Sequence, residues 1–245
     1  DGGEVHVVSV AAGVIIGKDD GNFDRSCSLG GDWNAVYVRN DDGTTAWYGH
    51  LKRGSLTTKA VGPRVAEGEF LGRVGSSGSS TGPHLHLEFY EAESLRDAYG
   101  GACNAANGNT SYWKSQRSYY DSTINKLAVH HSPPVLRACP GIELPNISNR
   151  LSPGQRAHFA VYFRDQRAVD TTRYTISRPN GSVFASWTHS PTVDFYAASY
   201  WYWTLTLPTS VPEGIWTFDA RHKGLSTTKT FAVGDPPAPP GTGDC

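Results

Sequence analysis

His84 and His86 stand two residues apart in "STGPHLHLEFY", residues 80–90, in a chain with only nine histidines among 245 residues. The run behind Gly82-Pro83 alternates apolar and polar residues, the pattern of a half-buried strand. Side chains at i and i+2 of a strand point to the same side, roughly 7 Å apart. That is too far for a hydrogen bond between the rings. It suits one imidazole bound to a metal ion and another reaching the water beside it. Leu85 and Leu87 are then expected on the opposite, core-facing side. Glu88 shares the histidine face, where it meets water or orients a histidine from behind; water is the preferred expectation. A lone H-x-H serves equally well as a solvated strand face, so the neighbours decide. "WYGHL" sets His50 on another strand, and "SSGSSTGP" is a loop of small residues that leaves a groove for a substrate backbone. Three histidines on neighbouring strands point to a zinc hydrolase.

The elements that must position these residues are short strands. "VHVVSVAAGVIIGK", "NAVYVRN", "TTAWYGHL" and "VGPRVAEGEFLGRVG" read as successive strands, with "DDG" (41–43) as a hairpin turn. Residues 91–131 read as irregular or partly helical, and "SYYDSTINKLAVHH" is the best helix candidate. A second strand series is expected from near residue 140, through "RAHFAVYFRD", "RYTISRPNGSVFASW", "ASYWYWTLTLP" and "GIWTFDARHKGLSTTKTFAV". Strands at this spacing suggest an immunoglobulin-like β-sandwich. The final "GDPPAPPGTGDC" is a Pro-rich tail.

Composition narrows the function classes. The formal charge is -1, which gives no electrostatic case for nucleic acid. No apolar run approaches the ~20 residues of a membrane span. Cys27, Cys103, Cys139 and Cys245 lack C-x-x-C spacing, so a thiolate zinc cluster is not expected. Disulfides in an exported protein fit better, with all three pairings open.

"AAGVIIG", "YGHL" and "GEFLGRVGSSGSSTGPHLHLEFY" resemble the lysostaphin-type zinc endopeptidases, which cut peptide cross-links of bacterial cell walls. "STGPHLH" is similar to the branch that includes the staphylolytic and β-lytic proteases. The resemblance covers about residues 1–100. It implies that His86 binds Zn2+ and that His84 and His50 are catalytic histidines facing each other across the cleft. It implies peptidoglycan peptides or Gly-rich peptides as substrate, a secreted or periplasmic bacterial protein, and a monomer. The family draws two further zinc ligands from an H-x-x-x-D motif ahead of its first core strands. None stands upstream of "VHVVSVAAG", and Asp1 is close to the following strand. The expectation is therefore the later part of a longer enzyme. The alternative is a non-catalytic homologue that binds cell wall or regulates another hydrolase.

The expected fold class is all-β: a lysostaphin-type antiparallel β-sheet peptidase domain, then an immunoglobulin-like β-sandwich. The expected boundaries are 1–100 for the peptidase domain, 101–139 for an irregular or helical connector, 140–234 for the sandwich and 235–245 for the tail. The other histidines read as structural: His6 on a strand, His130 and His131 in an interdomain linker, and His158, His189 and His222 as strand or turn residues. Asp32 reads as a turn cap. In "YWYWTLTL", Trp201 and Trp203 are expected on the core face and Tyr200 and Tyr202 on the outer face, where they line the surface or stack on glycan.

Overall fold

The structure is a computed structural model that describes residues 5–101, 104, 110–136, 141 and 146–235. It is all-β: sixteen strands, with no helix among the described residues. The chain divides into two compact units. The first runs to Gln116 and takes a short later stretch from Leu136; the second begins at Arg117.

The first unit is built on a six-stranded antiparallel sheet. Its strands are β2 (Gly13–Asp19), β3 (Ala35–Asn40), β4 (Thr45–Gly49), β5 (Arg64–Val65), β7 (His86–Glu91) and β8 (Ser94–Arg96), in the order β5-β2-β3-β4-β7-β8. A two-stranded ribbon of β1 (His6–Val8) and β6 (Phe70–Arg73) completes the unit. The "DDG" turn joins β3 to β4 as expected: Asn40 N–H donates to Thr44 O at 2.8 Å and Gly43 takes φ 89°. Alternation along these strands sends Ile15, Val36, Val38, Ala46, Tyr48 and Leu71 into a core from which water is excluded. Burial at this level stabilises by about 1.5–3 kcal/mol for each large side chain.

The second unit is a two-sheet sandwich. One sheet holds β10 (Arg150–Leu151), β12 (Thr172–Ser177), β13 (Val183–His189), β15 (Gly214–His222) and β16 (Leu225–Val233), in the order β10-β16-β15-β12-β13. The other holds β9 (Thr123–His130), β11 (Arg156–Arg167) and β14 (Phe195–Thr206), in the order β14-β11-β9. All pairings in the unit are antiparallel except β10 with β16. One core, with Phe159 and Phe163 from the smaller sheet and Trp216 and Phe218 from the larger, joins the two. Along β14 the aromatic residues alternate as expected. Trp201 and Trp203 pack against the core, while Tyr200 and Tyr202 are exposed.

Two expectations fail here. The helix candidate around residues 118–131 is the strand β9, and it opens the second strand series at Thr123 rather than near 140. His130 is not a linker residue. It lies on β9, is 3% exposed, and its Nδ1 shares a hydrogen bond with Asn146 Oδ1 at 2.8 Å. Of the four cysteines, only Cys27 falls among the described residues, so the expected cysteine pairing lies outside them.

Burial has a consequence for stability. His130, His158, His189 and His222 all sit in the second unit, and burial lowers the pKa of each below the ordinary histidine value. A lowered folded-state pKa means that the unfolded chain binds protons more readily. Stability is then complete above the unfolded pKa of about 6.5 and falls as the pH drops through it. The melting temperature of the second unit should therefore decline between about pH 7.5 and 5.5, before the carboxylates titrate. Calorimetric melts across that range check this; a flat profile would show that these rings exchange protons equally in both states.

Candidate active site

The sheet register brings the histidines together. β4 and β7 pair antiparallel with Gly49 opposite His86, so the residue after Gly49 lies beside His86. That residue is His50, and it takes the left-handed backbone conformation, φ 58°. A non-glycine residue in this region is uncommon, and such strain tends to be held at functional sites by the surrounding structure. The holding contacts start from Gly75. Its N–H donates to His50 O at 3.0 Å and its carbonyl accepts from His84 N–H at 3.2 Å, tying both histidine backbones to one residue. A Cβ at Gly75 would stand 2.6 Å from Lys52 N, so no side chain fits there.

One ring nitrogen from each of His50, His84 and His86 lies within 4.8 Å of the others, and no other group of three or more metal-ligating side chains forms among the described residues. The ring centroids are 4.7 Å apart for His50–His84 and 5.4 Å for His50–His86. Each ring is fixed by a partner that only accepts. His50 Nδ1–H donates to Ser77 O at 2.6 Å, and His84 Nδ1–H donates to Gly82 O at 2.7 Å. His86 Nε2–H donates to Glu88 Oε1 at 2.8 Å. These bonds set the tautomers, because a carbonyl or carboxylate requires the N–H on its own side. They leave lone pairs on Nε2 of His50, Nε2 of His84 and Nδ1 of His86. His50 is 5% exposed. Burial, and then the neighbouring His84 and His86, lower its pKa against the opposing bond to Ser77, so the neutral ring is favoured.

Glu88 is not left to water. Besides His86, its second oxygen accepts from Tyr90 O–H at 2.5 Å. A carboxylate behind a histidine fixes ring orientation and raises basicity, as in many metal centres. Leu87 packs against the core as expected, but Leu85 is 38% exposed, because β7 begins only at His86.

Several site residues carried no signal in the sequence. Trp33 packs edge-on to His50 and tilted to His86, with centroids 5.4 and 5.7 Å away. A Cβ on Gly49 would stand 2.2 Å from the Trp33 ring, which explains a glycine before His50. Beneath the rings, Ser77 Oγ accepts from Asn34 N–H at 2.8 Å and donates to Leu51 O at 3.0 Å. Asn34 and Ser77 are fully buried, and Ser76 and Ser80 nearly so. The small-residue loop is therefore a hydrogen-bonded buttress. An open cleft of about 830 Å³ lies over His50 and His86, lined also by Asp32 and Trp33.

The donor type at this cluster suits zinc, whose usual protein ligands include neutral histidine nitrogen. His6 is elsewhere: it is exposed on β1 and packs edge-on to Phe70 at 5.1 Å.

The first unit is similar in sequence to known proteins. The model of "Peptidase family M23" matches residues 2–98. The DD-carboxypeptidase/endopeptidase Mpg of Neisseria meningitidis is 49% identical over 59 residues, 24% of this chain and 13% of that protein. The peptidoglycan DD-endopeptidase ShyC of Vibrio cholerae is 39% identical over 70 residues, 29% of this chain and 16% of that protein. The glycyl-glycine endopeptidase ALE-1 of Staphylococcus capitis is 41% identical over 61 residues, 25% and 16%. The chain thus spans only 13–16% of the length of these relatives. Among solved structures, the catalytic domain of lysostaphin from Staphylococcus simulans is 25% identical, with a TM-score of 0.31 over 40% of this chain and 68% of that one. Residues 2–98 of this chain belong to peptidase family M23, the lysostaphin-type peptidases.

Proposed function

We propose that the first unit is a zinc endopeptidase that hydrolyses peptide links of bacterial peptidoglycan, in a secreted or periplasmic protein. The observation that carries this reading is that ring nitrogens of His50, His84 and His86 lie within 4.8 Å of one another, beside an open cleft that His50 and His86 line. His86, backed by Glu88, would hold the metal. Bound zinc polarises a peptide carbonyl and acidifies a water to a pKa of about 7.

The chain's own residues supply the rest. A lone-pair nitrogen of His50 or His84 takes the proton of the attacking water and returns it to the leaving amine. The other imidazole, once protonated, supports negative charge on the carbonyl oxygen. Neutral His50 is ready to accept because burial disfavours its charged form. Ser77 and Gly82 hold the two rings so that the reactive nitrogens need not reorganise. The second unit supplies none of these groups. We read it as an immunoglobulin-like recognition module, whose exposed Tyr200 and Tyr202 offer flat faces to sugar rings.

The test is hydrolysis of a soluble Gly-rich cross-bridge peptide by the zinc-supplemented protein. Cleavage should stop with a chelator and return when zinc is added back. Cleavage that persists in the chelator would overturn the metal assignment.

A further inference from the structure

The face of the first unit's sheet that looks away from its core carries contacts that the proposed chemistry does not use. Alternation places Tyr37 on β3, Trp47 on β4, and His86, Glu88 and Tyr90 on β7 together on this face, opposite Val36, Ala46 and Leu87. The register sets them side by side: Tyr37 pairs with Trp47, and Trp47 with Glu88. The Trp47 ring stands edge-on to Tyr37 at 5.1 Å and tilted against Tyr90 at 4.7 Å.

Each of the two phenols ends on a group that touches a histidine. Tyr90 O–H donates to Glu88 Oε2 at 2.5 Å, and Glu88 Oε1 accepts from His86 Nε2–H at 2.8 Å. A glutamate side chain has several rotatable bonds, and a second hydrogen bond on its carboxylate removes much of that freedom. The Tyr37 hydroxyl accepts from Trp33 Nε1–H at 3.0 Å and donates to Asp19 Oδ2 at 2.8 Å. Burial, and then the bond to Asp19, pushes the Tyr37 phenol up to about 12, so it keeps the proton that it donates. The Trp33 ring latched in this way packs against both His50 and His86. Contacts thus reach the His86 ring by two routes, one through a carboxylate and one through an indole. Space for the second route is built into the chain. A Cβ on Gly17 would stand 2.9 Å from the Tyr37 ring, and one on Gly78 would stand 2.8 Å from Trp33 Cβ.

We propose that Tyr90 and Tyr37 are positioning residues for the histidine site, Tyr90 acting through Glu88 and Tyr37 through Trp33. Together they hold His86 as the Nε2–H tautomer, with Nδ1 left as its lone-pair nitrogen. The proposal rests on the zinc peptidase reading for its chemistry and adds two residues that act on the site without touching the metal.

The test begins on the full chain without metal. Long-range ¹H–¹⁵N NMR reads the tautomer of each histidine ring, and the Trp33 indole N–H is assigned with Trp33→Phe. Wild-type protein should show His86 in the Nε2–H form. Tyr90→Phe keeps the ring against Trp47 but should mix the two tautomers of His86. Tyr37→Phe should move the Trp33 indole N–H together with the ring signals of His50 and His86. Competition with a chromophoric chelator should then find zinc bound about 10-fold more weakly by each variant, the low end of the range for an outer partner. Tyr112→Phe is the control. It removes a phenol–carboxylate bond of the same kind, to Glu91 at 3.0 Å on the other face of β7, and should change none of these readings. An unchanged His86 tautomer in Tyr90→Phe, unmoved histidine signals in Tyr37→Phe, or equal effects in Tyr112→Phe overturns the proposal. Failure of the peptidase reading looks different: the metal-free spectra respond as stated, while zinc-loaded wild-type protein cleaves no peptide.

Discussion

Alanine at His84 should lower kcat for peptide hydrolysis by on the order of 10²–10⁴-fold while KM changes little, the range for loss of a positioned proton-transfer group. The His84 ring is exposed and hydrogen-bonds only locally, to Gly82 O at 2.7 Å and weakly to Ser80 Oγ at 3.5 Å, so the fold should survive its removal. His50→Ala should cost activity similarly but also lower stability, because the 5%-exposed ring and its bond to Ser77 O are lost together. The paired measurement is steady-state kinetics beside a thermal melt. An active His84→Ala variant would remove this residue from the chemistry.

His86→Ala should act on the metal instead. Loss of an imidazole that touches the metal, from a small ligand set, should weaken zinc binding well beyond the 10- to 100-fold expected when an outer partner is removed. Glu88→Gln supplies that outer-partner comparison, since the amide can still accept from His86 Nε2–H at its carbonyl oxygen. Competition with a chromophoric chelator orders the three proteins: wild type tightest, Glu88→Gln intermediate, His86→Ala weakest. If His86→Ala retains wild-type zinc affinity, the metal lies elsewhere.

The parts of the site visible in the sequence were those that local rules determine. Alternation fixes which residues of a strand share a face, so His86 and Glu88 on one side and Leu87 on the other could be read directly. The hairpin at residues 41–43 follows from its turn residues. The supports could not be read. Ser77 meets Asn34 across 43 residues of sequence, and neither residue type signals a partner so distant. Trp33 joins the site only because Gly49 leaves room for its ring. Glu88 meets His86 and Tyr90 rather than the preferred water, and nothing in the sequence marks Tyr90 as its second partner.

The strand taken for a helix has a specific cause. Ile124 and Leu127 are three apart, a helical spacing, and both reach the core. In β9 they do so through a register shift against β11: Ile124 pairs with Phe163 and Leu127 with Val161. The extra residue of a β-bulge turns odd spacing into a shared face. His130, which the following "SPP" suggests is a linker residue, instead pairs with His158 on β11.

The central claim is that the His50–His84–His86 cleft hydrolyses peptide bonds of peptidoglycan with zinc. Its most direct test is digestion of purified peptidoglycan in ¹⁸O-water by the zinc-supplemented protein, with mass spectrometry of the released fragments. The digest should show new amino termini and matching carboxyl termini that carry ¹⁸O, absent with chelator and in His84→Ala. Zinc-loaded protein that binds peptidoglycan yet releases no labelled carboxyl terminus would contradict it.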